Sequence, residues 1–239
     1  MEFSGKTAFV TGVAHGIGRA IALQLAEAGA SLALADINAQ GLGETARLAR
    51  ERGAQVVECP LDVTDEAAVR AAVQSARDAR GPIDILVNNA GVYDCACDFV
   101  DSRSEEWKRK MSINILGTLY PTHAILPGML ERGYGRIVNI ASVAGVYGIA
   151  RMADYSMTKG AIIGFTHALA KEVTRRGVTV NAVSPGSIDV SGNPLPEHSF
   201  MGRAGTPEEC ANLVVFLASD RASYISGQNI QVDGCRKRM

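Results

Sequence analysis

No stretch of the sequence reaches the roughly 18 uninterrupted apolar residues that a membrane-spanning helix requires, and its start, "MEFSGKTAFVTG", has no long apolar segment. The expectation is a chain without a signal peptide or a membrane span. An excess of either charge is also missing. The 24 Lys and Arg residues offset 25 Asp and Glu to leave a net charge of −1, so nothing in the balance singles out nucleic acid or an anionic membrane as partner. Small molecules and further copies of the chain are the expected partners. Cysteine is sparse and unpaired in pattern: Cys59, Cys95, Cys97, Cys210 and Cys235 are odd in number and contain no Cys-x-x-Cys. That excludes a disulfide framework and the usual zinc spacings, and it suits a reducing, cytoplasmic compartment. Cys95-Ala96-Cys97 supplies too few ligands for a metal, and no metal is expected. Repeats, low-complexity tracts and Pro/Gly/Ser linkers are absent too, so 239 residues that are 47% hydrophobic are expected to build a single domain over residues 1–239.

What is present is an alternation. "TAFVTG", "SLALAD", "QVVECPLDV", "DILVNNAG", "GRIVNIAS", "VTVNAVSPG" and "NIQVDG" read as seven strands, separated by segments of helical period such as 17–28, where Ile17, Ala20, Ile21, Leu25 and Ala28 form one stripe. Strands alternating with helices imply an α/β fold: a doubly wound parallel sheet with helices on both faces. Two helix starts carry capping signals, Ser102 with Glu105, and Thr206 with Pro207 and Glu209. Residues 185–206 lose all periodicity and crowd Gly with Pro, which reads as an irregular loop over a site.

"VTGVAHGIGRAIA" follows the first strand and opens the first helix, with Gly12, Gly16 and Gly18. Glycines there let the backbone turn and approach a pyrophosphate, and the free N–H groups of the helix start favour its charge. Asp36 closes the second strand, 18 residues after Gly18, where a carboxylate accepts adenosine ribose hydroxyls and repels a 2′-phosphate. NAD(H) rather than NADP(H) follows, although a solvated turn aspartate would look the same, and His15 and Arg19 add positive charge nearby. "SGKT" at 4–7 mimics the end of a phosphate loop but lacks the preceding strand and glycine.

In "DYSMTKG", Tyr155 and Lys159 stand four residues apart, which on a helix stacks them on one face. An exposed helical ladder has the same spacing. With "TGVAHGIG", "LDV" at 61–63, "NNAG" at 88–91, Asn114 in "MSINILG", Ser142 in "IVNIAS", "SPG" at 184–186 and "QVDG" in one chain in this order, the sequence resembles the classical short-chain dehydrogenases/reductases over nearly its whole length. The resemblance implies a Rossmann-type fold in which Gly12, His15, Gly16, Ile17, Gly18 and Asp36 face the cofactor. Asp62 and Val63 would hold the adenine. Asn88, Asn89, Ala90 and Gly91 would support cofactor and sheet, and Pro185, Gly186 and Ile188 would line the nicotinamide. Ser142, Tyr155 and Lys159 would be catalytic, with Asn114 ordering a water chain and Lys159 also holding the ribose. A homo-oligomer, tetramer or dimer, is implied, with helices over 103–131 and 154–176 at the interface.

The chemistry is consistent with those roles. An alcohol that loses hydride must also lose its hydroxyl proton, and a tyrosine pKa near 10 is too high for an efficient base. Lys159 is expected to lower it, and Ser142, at a strand's carboxyl end, to orient the substrate oxygen. The predicted function is hydride transfer between NAD(H) and a secondary alcohol or ketone, small and cyclic or aromatic. An NADPH-dependent 3-oxoacyl thioester reductase and a non-catalytic NAD(H)-binding protein are the alternatives. Tyr93, Cys95, Val143, Tyr147, Met152, Ser187, His198 and Phe200 are the candidate pocket residues, whereas His123 and His167 are assigned to packing or an interface. The family often has a threonine shortly after the Pro-Gly pair. Val190 stands there, with Ser187 or Ser191 as substitutes, and the substrate loop 187–202 is short, which predicts an open site or a lid from a neighbouring subunit. The basic run Arg236, Lys237, Arg238 either meets a partner chain or attracts an anionic substrate.

Overall fold

The computed structural model describes residues 1–94, 96–190 and 198–237. Seven strands, β1 (Thr7–Thr11), β2 (Ser31–Asp36), β3 (Val56–Pro60), β4 (Ile85–Asn88), β5 (Gly135–Ile140), β6 (Val178–Pro185) and β7 (Asn229–Val232), form one sheet in the order β3-β2-β1-β4-β5-β6-β7. All six pairings are parallel. This is the doubly wound arrangement, and the order reverses between β1 and β4, where open α/β sheets leave a crevice at the carboxyl ends of their strands.

The strands are apolar because both faces are covered. Val10, Leu34, Val87, Val138 and Val183 point to one side, where α1 (Gly16–Glu27), α2 (Ala39–Glu51) and α8 (Pro207–Ala218) bring Ile21, Leu25, Leu42, Val214 and Leu217. Phe9, Ala33, Leu86, Ile137 and Val180 alternate to the other side. There α3 (Glu66–Arg80), α5 (Gly117–Arg132) and α7 (Ala153–Val173) bring Val69, Val73, Ile125, Met129, Leu169 and Val173. Among the described residues no helix is long and apolar enough to cross a membrane.

The capping box at the start of α8 forms as expected: the Thr206 hydroxyl accepts from Glu209 N at 3.2 Å and the Glu209 carboxylate accepts from Thr206 N at 2.9 Å. The expectation at Ser102 fails. Helix α4 (Ser104–Met111) starts two residues later with Arg103 at its N-cap. The Ser102 hydroxyl is diverted, donating to Phe99 O at 2.7 Å and accepting from Trp107 Nε1 at 3.0 Å, while the Trp107 ring stacks on Phe99. The predicted single helix over 103–131 is also interrupted. Residues Ser112–Leu116 form a π-helical turn between α4 and α5, the kind of insertion that re-aims side chains at a site. His123 and His167 are exposed on α5 and α7 rather than packed inside.

Candidate active site

The first turn is built by steric necessity. Gly12 (φ +70°) and Gly16 (φ +58°) take left-handed backbone, and a Cβ on Gly12 would lie 2.7 Å from Ala90 Cα. A Cβ on Gly18 would collide with the Gly12 carbonyl oxygen and the Asn89 amide. Asn89 locks this crossing by donating to Thr11 O at 3.1 Å and Gly12 O at 2.7 Å, while the Thr11 hydroxyl accepts from Asn89 N and Ala90 N. Helix α1 opens at His15 with no side-chain cap and no acidic residue in its first turn. Its N–H groups therefore face the crevice undischarged, as an anion-binding turn requires. At the end of β2, Asp36 accepts from Ala14 N at 2.8 Å and Asn38 N at 2.9 Å. The nearby Arg19 is consumed in the turn itself, donating to Ala14 O and, at 2.9 Å, to Thr45 Oγ1. His15 is exposed. The cradle thus fits a dinucleotide: a close-packed glycine turn, an uncapped helix start and a fixed carboxylate.

Asp62 lies past β3 and accepts from Thr64 N and Oγ1 at 2.9 and 2.8 Å. Val63 is buried against α5, where a Cβ on Gly117 would come within 2.6 Å of its Cγ2. What Val63 can offer a ligand is its backbone.

Past the carboxyl ends of β4, β5 and β6, the chain encloses a cavity of about 380 Å³. Ile17, Asn89, Gly91, Tyr93, Ser142, Val143, Met152, Tyr155, Lys159, Pro185, Gly186, Ser187, Ile188 and His198 all line it. Sequence reasoning did not nominate Val92, Ile140, Ala141 and Ile149, which also line it; nothing but their place in the fold distinguishes them from other apolar residues. Val190 lines the cavity as well, and a Cβ on Gly16 would lie 3.3 Å from its Cγ1, so this side chain packs over the glycine turn where the expected threonine hydroxyl is missing. Tyr147 and Phe200 are outside the lining. The Tyr147 hydroxyl donates to Gln231 Oε1, and the Phe200 ring lies under Lys237. Cys95, Ser191 and Arg238 fall outside the described residues. A larger depression of about 460 Å³ beside His167, Lys171 and Ser226 lies away from all these groups.

Ser142 caps α6 (Val143–Tyr147), its Oγ accepting from Ala144 N at 3.1 Å. A side-chain hydrogen bond between Ser142 and Tyr155 favours the phenolate. Helix α6 reaches this position because Gly145 is bare: a Cβ there would lie 2.5 Å from Lys159 C and 2.6 Å from Gly160 N. Lys159 is buried under the site, with Nζ donating to Ile140 O at 2.8 Å. Burial lowers its pKa from 10.5 to about 8.

The expected electrostatics need correction here. Tyr155 is pushed above its ordinary value of 10, first by burial; the Ser142 hydrogen bond pulls it down and the neighbouring Tyr93 pushes it up. Lys159 Nζ sits 5.9 Å from the Tyr155 ring centre while donating to Ile140 O. In this structure burial outweighs the Ser142 hydrogen bond, so the phenol is raised rather than lowered. Tyr93 tilts across Tyr155 at 6.1 Å between ring centres.

Asn114 is fully buried in the π-helical turn, outside the cavity lining. Its Oδ1 accepts from Val92 N at 2.8 Å, and its Nδ2 donates to Val92 O and Thr158 Oγ1, each at 3.0 Å. It clamps the segment carrying Gly91, whose own missing Cβ would lie 3.3 Å from Lys159 Nζ. A buried ion cluster backs the same corner. Lys110 on α4 pairs with Asp154 at 2.7 Å and with Asp94 at 3.0 Å, the latter contact without hydrogen-bond geometry, while Asp154 also accepts from Tyr155 N at 2.8 Å.

The sequence model of the family described as enoyl-(acyl carrier protein) reductase matches residues 12–235. The chain is 37% identical over 98% of each protein to 3-oxoacyl-[acyl-carrier-protein] reductase FabG of Thermotoga maritima. It is 40% identical over 94% of each to 2-(S)-hydroxypropyl-CoM dehydrogenase 3 of Xanthobacter autotrophicus. The crystal structure of an NAD+-bound xylitol dehydrogenase superposes with a TM-score of 0.94 at 34% identity, covering 98% of this chain and 100% of that one. The doubly wound sheet, the glycine cradle and the grouping of Ser142, Tyr155 and Lys159 agree with these likenesses, and the chain belongs to the classical short-chain dehydrogenase/reductase family of oxidoreductases.

Proposed function

We propose that the protein transfers hydride between NAD(H) and a secondary alcohol or ketone. The observation that carries this reading is the meeting of Ser142, Tyr155 and the buried Lys159 in the cavity that also holds Ile17 of the glycine turn. When bound, the nicotinamide supplies the hydride acceptor and, in its oxidised form, a positive charge beside the phenol. In alcohol oxidation Tyr155 takes the hydroxyl proton, and in ketone reduction it returns one to the oxygen. Ser142 donates to that same oxygen and holds it in reach, so its hydrogen bond strengthens as negative charge develops there. Lys159 would hold the ribose hydroxyls of the cofactor and pass the proton outward, a task suited to a pKa near 8.

NAD(H) is favoured because Asp36 offers a fixed carboxylate at the end of β2 that would repel a 2′-phosphate, and Arg19 is engaged in the turn. Likeness to the NAD+-bound xylitol dehydrogenase supports the same choice. A panel of secondary alcohols tested with NAD+ and, separately, NADP+ checks both halves. Turnover with NAD+ is expected; turnover confined to NADP+ would remove the cofactor assignment.

A second reading, reduction of a 3-oxoacyl thioester, is favoured by likeness to the 3-oxoacyl-[acyl-carrier-protein] reductases, which are 37% identical to the chain. It predicts consumption of reduced cofactor on an acetoacetyl thioester at a rate exceeding that on any free ketone of the panel.

A further inference from the structure

Near the end of the described chain, beyond β7, Gly234 (φ +60°) and Cys235 (φ +57°) are consecutive left-handed residues that reverse the backbone. Residues 234–237 then run antiparallel to 198–201: Phe200 N donates to Cys235 O at 3.0 Å, Met201 N to Gly234 O at 3.2 Å and Lys237 N to His198 O at 3.0 Å, with Ser199 and Arg236 bridged. Ser199 is buried beneath this ribbon and donates to Arg203 O at 2.9 Å. The ribbon fixes Arg236 on the wall of the cavity that holds Ser142, Tyr155 and His198. Among the described residues no carboxylate or carbonyl holds its side chain. The neighbouring Asp233 instead accepts from Cys235 N at 3.0 Å. An arginine fixed by its backbone, half-buried and on the wall of a reaction cavity, offers a fork for a planar oxyanion.

We propose that Arg236 is the substrate-anion subsite of this enzyme, so that the alcohol or ketone it converts carries a carboxylate. The inference rests on the oxidoreductase reading above. It narrows the substrate class to small hydroxy and keto acids, for which the apolar groups Val143, Ile149 and Met152 contact the carbon skeleton while Arg236 holds the far end.

The test pairs hydroxy acids of increasing chain length with their methyl esters and measures kcat/KM with NAD+ for the wild type, Arg236→Met, Arg236→Lys and, as a charge-matched control, Lys237→Met. Lys237 Nζ lies over the Phe200 ring, outside the cavity lining. The expected result is an acid preference in at least one pair that falls roughly 10- to 100-fold in Arg236→Met, the size of one charge-assisted contact. The preference falls less in Arg236→Lys and persists in Lys237→Met. Absence of any acid preference in the wild type overturns the subsite, as does a preference that survives Arg236→Met. An effect of Arg236→Met confined to the NAD+ Michaelis constant also overturns it, because the cation would then serve the cofactor. If neither acids nor esters reduce NAD+, the NAD(H)-dependent oxidation of these alcohols is what fails, separately from the subsite. Calorimetric titration of the same acids and esters into wild type and Arg236→Met then decides the subsite, tighter acid binding lost in the variant supporting it and equal binding overturning it.

Discussion

Tyr155 stands under two opposed influences, burial that keeps its proton on and a serine hydroxyl that favours letting it go. Lys159 carries the complementary strain, an ammonium taken out of water with one carbonyl for company. Its folded pKa of about 8 lies below the ordinary 10.5, so between those values the unfolded chain holds the extra proton and stability rises with pH. The burial cost is fully present below pH 8 and relieved above it. Comparing urea unfolding at about pH 7.5 and 9.5, the wild type is expected to gain about 2 kcal/mol relative to Lys159→Met. The window stops short of 10, where the raised Tyr155 acts with the opposite sign. A flat difference between the two pH values would mean that Lys159 is hydrated. Tyr155 and Lys159 were legible through their spacing together with the glycine turn and the other motifs of the resemblance, since the spacing alone also fits an exposed helical pair. The hydrogen bond from Ala144 N to Ser142 Oγ was not legible, because it depends on where α6 begins.

At the scale of elements, the site is a set of close approaches. Gly145 lets α6 lie against α7, and Gly145→Ala must push them apart or distort both, because the clashing atoms are backbone. The expected outcome is a fall in kcat of about 10²-fold, from displacement of Ser142, with binding of NADH, followed by its fluorescence, close to wild type. Equal loss of both would mean that the variant disturbs the whole fold. The Lys110 cluster ties α4, the segment after β4 and the first turn of α7 together behind Tyr155. Removing one member of a buried pair leaves its partner's charge exposed to a poor solvent, so Lys110→Met is expected to cost about 3 kcal/mol in denaturant unfolding. A loss below about 0.5 kcal/mol would make the pair a surface-like contact. The strands and most helices were readable from their periods of two and 3.6. The π-helical turn at Ser112–Leu116 was not, since a single extra residue leaves the apolar pattern of a helix nearly intact. The Ser102 start was misread because a tryptophan five residues on competes for the same hydroxyl.

For the whole molecule, the decisive fact is that separate motifs meet at the carboxyl edge of one sheet. The parallel alternation announced that sheet but not the order of its strands, because pairing is non-local. The same holds for the ribbon of 234–237 on 198–201, which no local pattern announces. We propose that α4, α5 and α7 pair copies of the chain into a dimer or tetramer, and light scattering should return a multiple of the chain mass; a monomer at micromolar concentration would refute this. The proposed chemistry depends above all on proton transfer at Tyr155, and Tyr155→Phe, which removes one oxygen, probes that step alone. With NAD+ and an alcohol that the wild type oxidises, kcat is expected to fall at least about 10²-fold, with NADH affinity within a few-fold of wild type. Turnover in Tyr155→Phe comparable to wild type would contradict the assignment of Tyr155 as the proton carrier.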